Sequence, residues 1–294
     1  MYKRKCCCCE HLSACRLSLE ELLRNLEEDT LSAINWFGNN YMKLNQSKCH
    51  MLISGNIHEH LWVKVGGEMI WESTEEKLLG VTIDKNLNFN SHLTAICKKT
   101  GHKVTALARL VRLLPFHRRR EILKTFIESQ FSHCPLVWMF CSRKMNRKIN
   151  HIHERALRLV YNEYDSTFED LLIKDKSVCI HHRNIHQLAI EMYKVKHDLS
   201  PPFMKEIFTH IGHGRETRMG DKFYKPSVDT VHMGEHSLRV FGPKLWNTML
   251  PEKLKDCSTL DNFKECVKSW VPDNCKCTLC KTYVEGVGYV DIFE

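Results

Sequence analysis

The spacing of apolar positions changes character twice along this chain. From Ser18, the apolar residues Leu19, Leu22, Leu23, Leu26, Ala33, Ile34 and Phe37 recur every three or four positions as far as Asn39, the period of an amphipathic helix. "SLEE" at its head, Ser18 with Glu21 three residues on, has the form of a capping box. After the polar "NQSK" the pattern shortens to strand-like runs. These are "HMLIS", then "LWVKV" and "EMIWES" around Gly66-Gly67, a two-residue turn suited to a tight hairpin, then "KLLGVTI" as one further strand. Residues 18–84 thus predict one helix and about four strands, a small α+β unit whose apolar side needs covering.

From Ser91 the helical period returns. Leu93, Ile96, Cys97, Val104, Leu107, Ala108, Val111 and Leu114 keep it until Pro115, while Lys98, His102, Arg109 and Arg112 share another face. A second helix is predicted near "HRRREILKTF" and a third over about 143–162. In the third, Met145, Ile149, Ile152, Ala156 and Leu159 form the buried stripe. Lys144, Lys148, His151, Arg155 and Arg158 step by four, three, four and three, so all five project from one side. A fourth helix, about 183–198, carries Ile185, Leu188, Ala189, Met192 and Val195 inward and ends before "SPP".

Beyond Pro202 the pattern loosens. "THIGHGRETRMGDKFYKPS" reads as a mobile surface segment, "SLRVFGPKLWNTMLPEKLK" as a turn and short helix, and "TLDNFKECVKSW" as a last amphipathic helix. Residues 1–17 have neither period, and Cys6 to Cys9 read as part of an unstructured leader or a misassigned gene start, with palmitoylation as the alternative. The expected organisation is a leader (1–17), an α+β unit (18–90), a helical domain (91–200) and an irregular C-terminal region (201–294).

Composition narrows the partners. A hydrophobic share of 43% is that of a chain with a real core, and Lys plus Arg exceed Asp plus Glu by eight, a field that favours polyanions. No apolar run approaches the ~20 residues of a membrane span, and the start has no secretory apolar segment, so the expectation is a cytosolic or nuclear, unsecreted chain with no membrane partner. Fifteen scattered cysteines then read as thiols or metal ligands, not a disulfide framework.

Several chemistries find no purchase. Nucleotidyl transfer by two metal ions needs grouped carboxylates, yet the first Asp is Asp29, and Glu20, Glu21, Glu27 and Glu28 belong to a solvated helix face. Asp84 is isolated and reads as a strand-end turn residue. No Ser sits in a nucleophile elbow and no Gly-rich loop has phosphate-cradling spacing. The Cys/His pairs of "SHC" (132–134) and "CIHH" (179–182) are weak signals, and their thiols read as buried structural groups, with a nucleophile as the alternative.

"CKCTLC" is different. It sets Cys275, Cys277 and Cys280 as C-x-C-x-x-C, three thiolates within reach of one Zn2+, with Cys266, Cys257 or a distant His as the fourth ligand; an unmetallated loop is the other reading. The two successive basic helix faces, beside "HRRR" at 117–120, are the strongest functional signal. They suit a groove that tracks phosphates and binds by backbone charge, not base sequence.

Blocks in fixed order after residue 18 carry a family resemblance: "INWFGNNYMKLNQSKCHMLISG", "EKLLGVTIDKNLNFNSHLTAICKKTGHKVTALARL", "FIESQFSHCPLVWMFCSRKMNRKINHIHERALRLVY", "SVCIHHRNIHQLAIEMYKV", "FGPKLWNTMLPEKLK" and "CKCTLC". The chain resembles the C-terminal half of a reverse transcriptase, an RNA-directed DNA polymerase, of jockey-like non-LTR retrotransposons. The resemblance implies that residues 18–90 are the end of a palm and 91–200 a thumb that grips an RNA or RNA–DNA duplex. It makes Lys43, Asn45 and Lys48 polar palm positions and Leu79 and Gly80 a primer-holding turn. The basic positions Lys98, His102, Arg109, Arg112, Lys144, Lys148, His151, Arg155 and Arg158 become duplex contacts.

The sequence departs from that family at its catalytic centre. Active members carry a Tyr-x-Asp-Asp turn shortly before the helix that here starts at Ser18, and "MYKRKCCCCEHLSACR" holds no Asp. The expectation is a truncated relic without catalytic carboxylates, without cofactor when alone, and able to bind nucleic acid. The alternatives are part of an active Mg2+-dependent polymerase whose palm comes from a longer product or second chain, and a host-retained zinc-binding interaction protein. Trp62, Trp71 and Leu79 are expected to be partly exposed and to favour aggregation.

Overall fold

The computed structural model describes residues 19–54, 60–211, 222–228, 234, 237–271, 275–276, 281–284 and 288–291, the last three segments and Leu19 by their backbone. The chain is α+β and divides into two compact units, one ending at His92 and one beginning at Leu93.

The first unit holds α1 (Leu19–Asn39), β1 (Trp62–Val65), β2 (Glu68–Trp71), β3 (Glu75–Leu78) and β4 (Val81–Asp84). Strands β1 and β2 form an antiparallel hairpin, Trp62 opposite Trp71 and Val63 opposite Ile70. Alternation along β1 buries Val63 and Val65 with Met51 and Leu61, while Leu23 and Ile34 of α1 pack on them. The turn uses two left-handed glycines, Gly66 (φ 56) and Gly67 (φ 102), as expected for a tight hairpin. Gly66 also lies under Gln46, whose Nε2 donates to its carbonyl at 2.7 Å, and a Cβ there would fall 2.2 Å from that nitrogen.

Two strand expectations change. "HMLIS" contributes only a single parallel bridge, Met51 with Glu72, because β2 ends at Trp71 and meets Met51 just past its last pair. "KLLGVTI" is not one strand but the turn of a second hairpin. Leu79 (φ 48) and Gly80 (φ 88) are both left-handed and reverse the chain between β3 and β4. Beyond β4, Asp84 accepts from the backbone N–H groups of Asn86 and Asn88 at 3.1 Å and of Phe89 at 2.6 Å, organising the loop that leads into the next helix.

That helix, α2 (Asn90–Leu110), starts a mainly helical unit with α3 (Phe116–Ile122), α4 (Pro135–Trp138), α5 (Arg143–Tyr161), α6 (Phe168–Asp175), α7 (Ile180–Lys196), α8 (Phe203–Ile207), α9 (Leu238–Lys244), α10 (Glu252–Lys255) and α11 (Leu260–Ser269). α3 runs on through a π turn, Leu123–Ile127. Val104 and Leu107 of α2 share a cluster with Leu123, Ile127, Ala156, Leu157, Val160 and Leu171. α7 is the central helix, and even its His181, His182, Asn184 and His186 are buried.

The expected break at 200/201 is absent from the packing. α11 lies against α7, with Phe263 stacked on Tyr193 (ring centroids 4.4 Å), the Tyr193 hydroxyl donating to the Cys257 carbonyl and His186 Nε2 bonded to the Trp270 carbonyl at 2.6 Å. Residues up to Trp270 complete the helical core instead of forming an irregular appendage. The apolar face of "TLDNFKECVKSW" needed a partner, and α7, buried on most of its surface, supplies one. Past it, β5 (Cys275–Lys276), β6 (Lys281–Val284) and β7 (Gly288–Asp291) form a small antiparallel sheet. Residues 1–17, Ser18 of the capping box and most of the 209–227 segment lie outside the described residues.

Candidate nucleic-acid interface

The positive charge is concentrated, not spread. Between Leu93 and Val160 there are fifteen Lys and Arg against three Asp and Glu, more than the excess of the whole chain. Two helices carry most of it. On α5 the Ser142 hydroxyl caps the first turn and Asn162 ends the helix in a left-handed conformation. One side of α5 buries Met145, Ile149, His153, Ala156, Leu157 and Val160. The other exposes Lys144, Lys148, His151 and Arg155, and with them Arg147. Arg147 was not among the expected positions, although its spacing of three from Lys144 and four to His151 puts it in the same row. On α2, Lys98, His102 and Arg109 are exposed, and Arg112 follows in the turn after the helix.

The two helices are neighbours in the core: Val104 and Leu107 of α2 share one cluster with Ala156, Leu157 and Val160 of α5. Phe116, just past α2, meets Tyr161, the last residue of α5, edge to face with ring centroids 5.3 Å apart. Both rows therefore run toward the same end of the unit.

Other expected cations are occupied within the fold. Arg158 is half-buried, paired with Glu154 at 2.6 Å and donating to the Tyr164 carbonyl, so it pins the loop after α5. Of "HRRR", Arg119 donates to the Val160 carbonyl at 3.2 Å, and Arg120 holds the fully buried Asp175, which also accepts from the Tyr161 hydroxyl at 2.8 Å. Arg118 pairs with Glu121. Sequence spacing shows which side a residue leaves a helix, but not that a buried carboxylate 55 residues away waits for it.

Beneath α5, the buried Glu128 carboxylate lies 3.2 Å from His153 Nε2 and 2.8 Å from the Arg183 guanidinium. Burial alone would raise the pKa of Glu128, and the contacts with His153 and Arg183 outweigh it and lower it. Glu128 and Arg183 also line a groove of about 600 Å³ with Phe131, Leu136, Ile190 and Met204. No motif pointed to this trio, because its members come from three distant segments.

In the first unit Lys43 and Lys48 are exposed. Asn45 is a cap, its Oδ1 accepting from the backbone N–H of Ser47 at 3.1 Å and from its hydroxyl at 2.7 Å. Leu79 is 86% exposed at the tip of the second hairpin, beside Gly80.

The thiols divide. Cys179 is buried, as expected, but Cys134 of "SHC" is exposed and left-handed (φ 46), immediately before the Pro135 that starts α4. Cys266 sits on α11 with its Sγ 3.6 Å from Asn262 Oδ1. The side chains of Cys275, Cys277 and Cys280 lie outside the described residues, and among the described residues no three His, Cys, Asp or Glu are grouped to hold a metal. Among the same residues no helix is long and apolar enough to cross a membrane. Comparison with protein-family models, with curated proteins and with solved structures gives no match.

Proposed function

We propose that this chain is a nucleic-acid-binding relic of a non-LTR retrotransposon reverse transcriptase, gripping RNA or RNA–DNA duplex by its backbone and performing no synthesis alone. One observation carries the reading. α5 keeps five consecutive row positions, Lys144, Arg147, Lys148, His151 and Arg155, exposed on the side opposite a fully packed face. A row of a single sign beside a second basic helix is what phosphate tracking requires. The sequence contains no Tyr-x-Asp-Asp, so two-metal chemistry would need Mg2+-binding carboxylates from outside these residues, in a longer product or a second chain.

The test is binding to a fluorescent RNA–DNA duplex across a salt series. Wild-type affinity falls steeply with salt, and replacing Lys144, Lys148 and Arg155 with Ala lowers the slope of log K against log salt by about 2–3. Absence of binding at low salt refutes the proposal. Primer extension on a primed RNA template with Mg2+ gives no product from the chain alone; robust extension would make it a polymerase. Bound zinc in the purified chain would instead favour the interaction-protein reading built on Cys275, Cys277 and Cys280.

A further inference from the structure

The turn joining α2 to α3 presents several large apolar side chains to solvent together. Of its apolar residues, Val111 and Leu114 pack on the cluster around Leu107 and Leu157, but Leu110 (45% exposed), Leu113 (79%) and Phe116 (46%) face outward. The turn is tight, with the Leu113 N–H bonded to the Leu110 carbonyl at 2.9 Å, and Phe116 is braced against Tyr161. Arg109, Arg112 and His117 are exposed between and beside these apolar groups. Three large apolar side chains on a braced elbow, ringed by cations, stand where both basic rows end.

An uninterrupted duplex offers such an elbow only hydrated phosphates, which the cations can satisfy and the apolar groups cannot. Apolar wedges do engage nucleic acid, but by entering between bases, at the cost of unstacking them. At a duplex end, a nick or a gap the base face is already bare, and stacking on it requires no unstacking. A lipid headgroup layer would also accept cations around apolar groups. Continuity with the two basic helix rows favours nucleic acid.

Resting on the nucleic-acid reading above, we infer that Leu110, Leu113 and Phe116 form a base-stacking wedge that directs this protein to duplex ends and strand interruptions in preference to continuous duplex. The rows on α2 and α5 hold the backbone, and the elbow caps the terminal base pair, selecting the structure of the nucleic acid without reading its sequence.

The experiment compares one duplex in two forms, blunt-ended with 2-aminopurine in the terminal pair and covalently closed as a dumbbell, at one salt concentration. Wild-type protein binds the open form about tenfold tighter and changes the 2-aminopurine emission. Leu113→Ser, at a position too exposed to threaten folding, removes the preference and the emission change but keeps dumbbell affinity and its salt slope. Phe116→Tyr, which retains the ring against Tyr161, keeps the preference. Equal wild-type binding to both forms overturns the wedge while leaving duplex binding intact. No binding to the dumbbell at low salt overturns both readings. Flotation with phosphatidylserine vesicles that depends on Leu113, with no preference for ends, overturns the wedge in favour of a lipid surface.

Discussion

His153 Nε2 lies 3.2 Å from the Glu128 carboxylate in the interior of the helical unit, on the side of α5 opposite its basic row. The contact adds a polar constraint to the packed face of α5, and Arg183 of α7 holds the same carboxylate from the other side. Removing one member of a buried pair leaves an uncompensated charge or polar group. Glu128→Ala should therefore cost about 2–3 kcal/mol in urea unfolding, below the usual range for buried pairs because Arg183 is partly open to water. Glu128→Gln, which keeps one acceptor oxygen for one partner but turns an NH2 donor toward the other, should cost less than Glu128→Ala. Equal midpoints for wild type and Glu128→Ala would show that packing alone orients α5.

Arg120 and Lys148 should separate stability from binding. Arg120 is bound to the buried Asp175, so Arg120→Ala leaves that carboxylate with the Tyr161 hydroxyl but without its cation, and should lower stability by about 1–2 kcal/mol while leaving the salt dependence of duplex binding unchanged. Lys148→Ala should do the reverse, with a stability change within about 0.5 kcal/mol and a shallower salt slope. A variant of Arg120 that folds normally but loses binding would return "HRRR" to the interface.

The buried histidines of α7 make the helical unit acid-sensitive. Burial pushes His186 down to about 4 and His181 down to about 3, so the folded protein holds both rings neutral. Between the ordinary value near 6.5 and those lowered values the unfolded chain binds protons that the folded chain does not, and stability falls as pH drops. Glu128, lowered by its partners, adds loss in the same direction at more acid pH. Urea midpoints should be flat near pH 7–8 and decline below about pH 6.5, with His186 alone accounting for on the order of 3 kcal/mol by pH 4. His186→Gln should flatten part of that decline; an unchanged pH profile in this variant would contradict the assignment.

Helical period and side-chain chemistry were legible along the chain wherever one face settled the outcome. The buried stripe of α5 and the exposure of Lys144, Lys148, His151 and Arg155 follow from spacing alone, because a helix with one apolar side has only one way to lie on a core. Arg119, Arg120 and Arg158 show what spacing does not reveal. Long cations on half-buried faces go wherever a carbonyl or carboxylate accepts them, and Val160, Asp175 and Tyr164 are set by tertiary packing. The Leu79–Gly80 reversal was hidden by the apolar run around it, in which one strand and two short ones look alike. Phe263 on Tyr193 similarly joins the C-terminal segment to α7 through a contact 70 residues apart, which no local pattern announces.

Trp62 and Trp71 face each other across β1 and β2 on the outer side of the first hairpin, with ring centroids 6.5 Å apart and more than 40% of each exposed. Apolar area on that scale promotes self-association. Replacing both with Thr, a residue suited to strands, should raise the concentration at which light scattering first appears, at a stability cost of about 1 kcal/mol or less from the lost cross-strand contact. If the double variant aggregates as readily as wild type, the outer face of this hairpin is not the sticky surface.

Leu79 offers a sharper test of what the second hairpin is for. A γ-branched apolar residue at φ 48 with 86% exposure is unfavourable on both counts, since left-handed backbone suits Asn or Gly and exposed Leu gains nothing from burial. Leu79→Asn should therefore stabilise the hairpin by about 0.5–1 kcal/mol, read from slower hydrogen exchange of the β3 and β4 amides. The same variant tests whether this turn touches nucleic acid. If Leu79→Asn protects those amides yet weakens binding to a primed RNA template, the turn is a contact surface. If binding is untouched, Leu79 is not part of a contact surface.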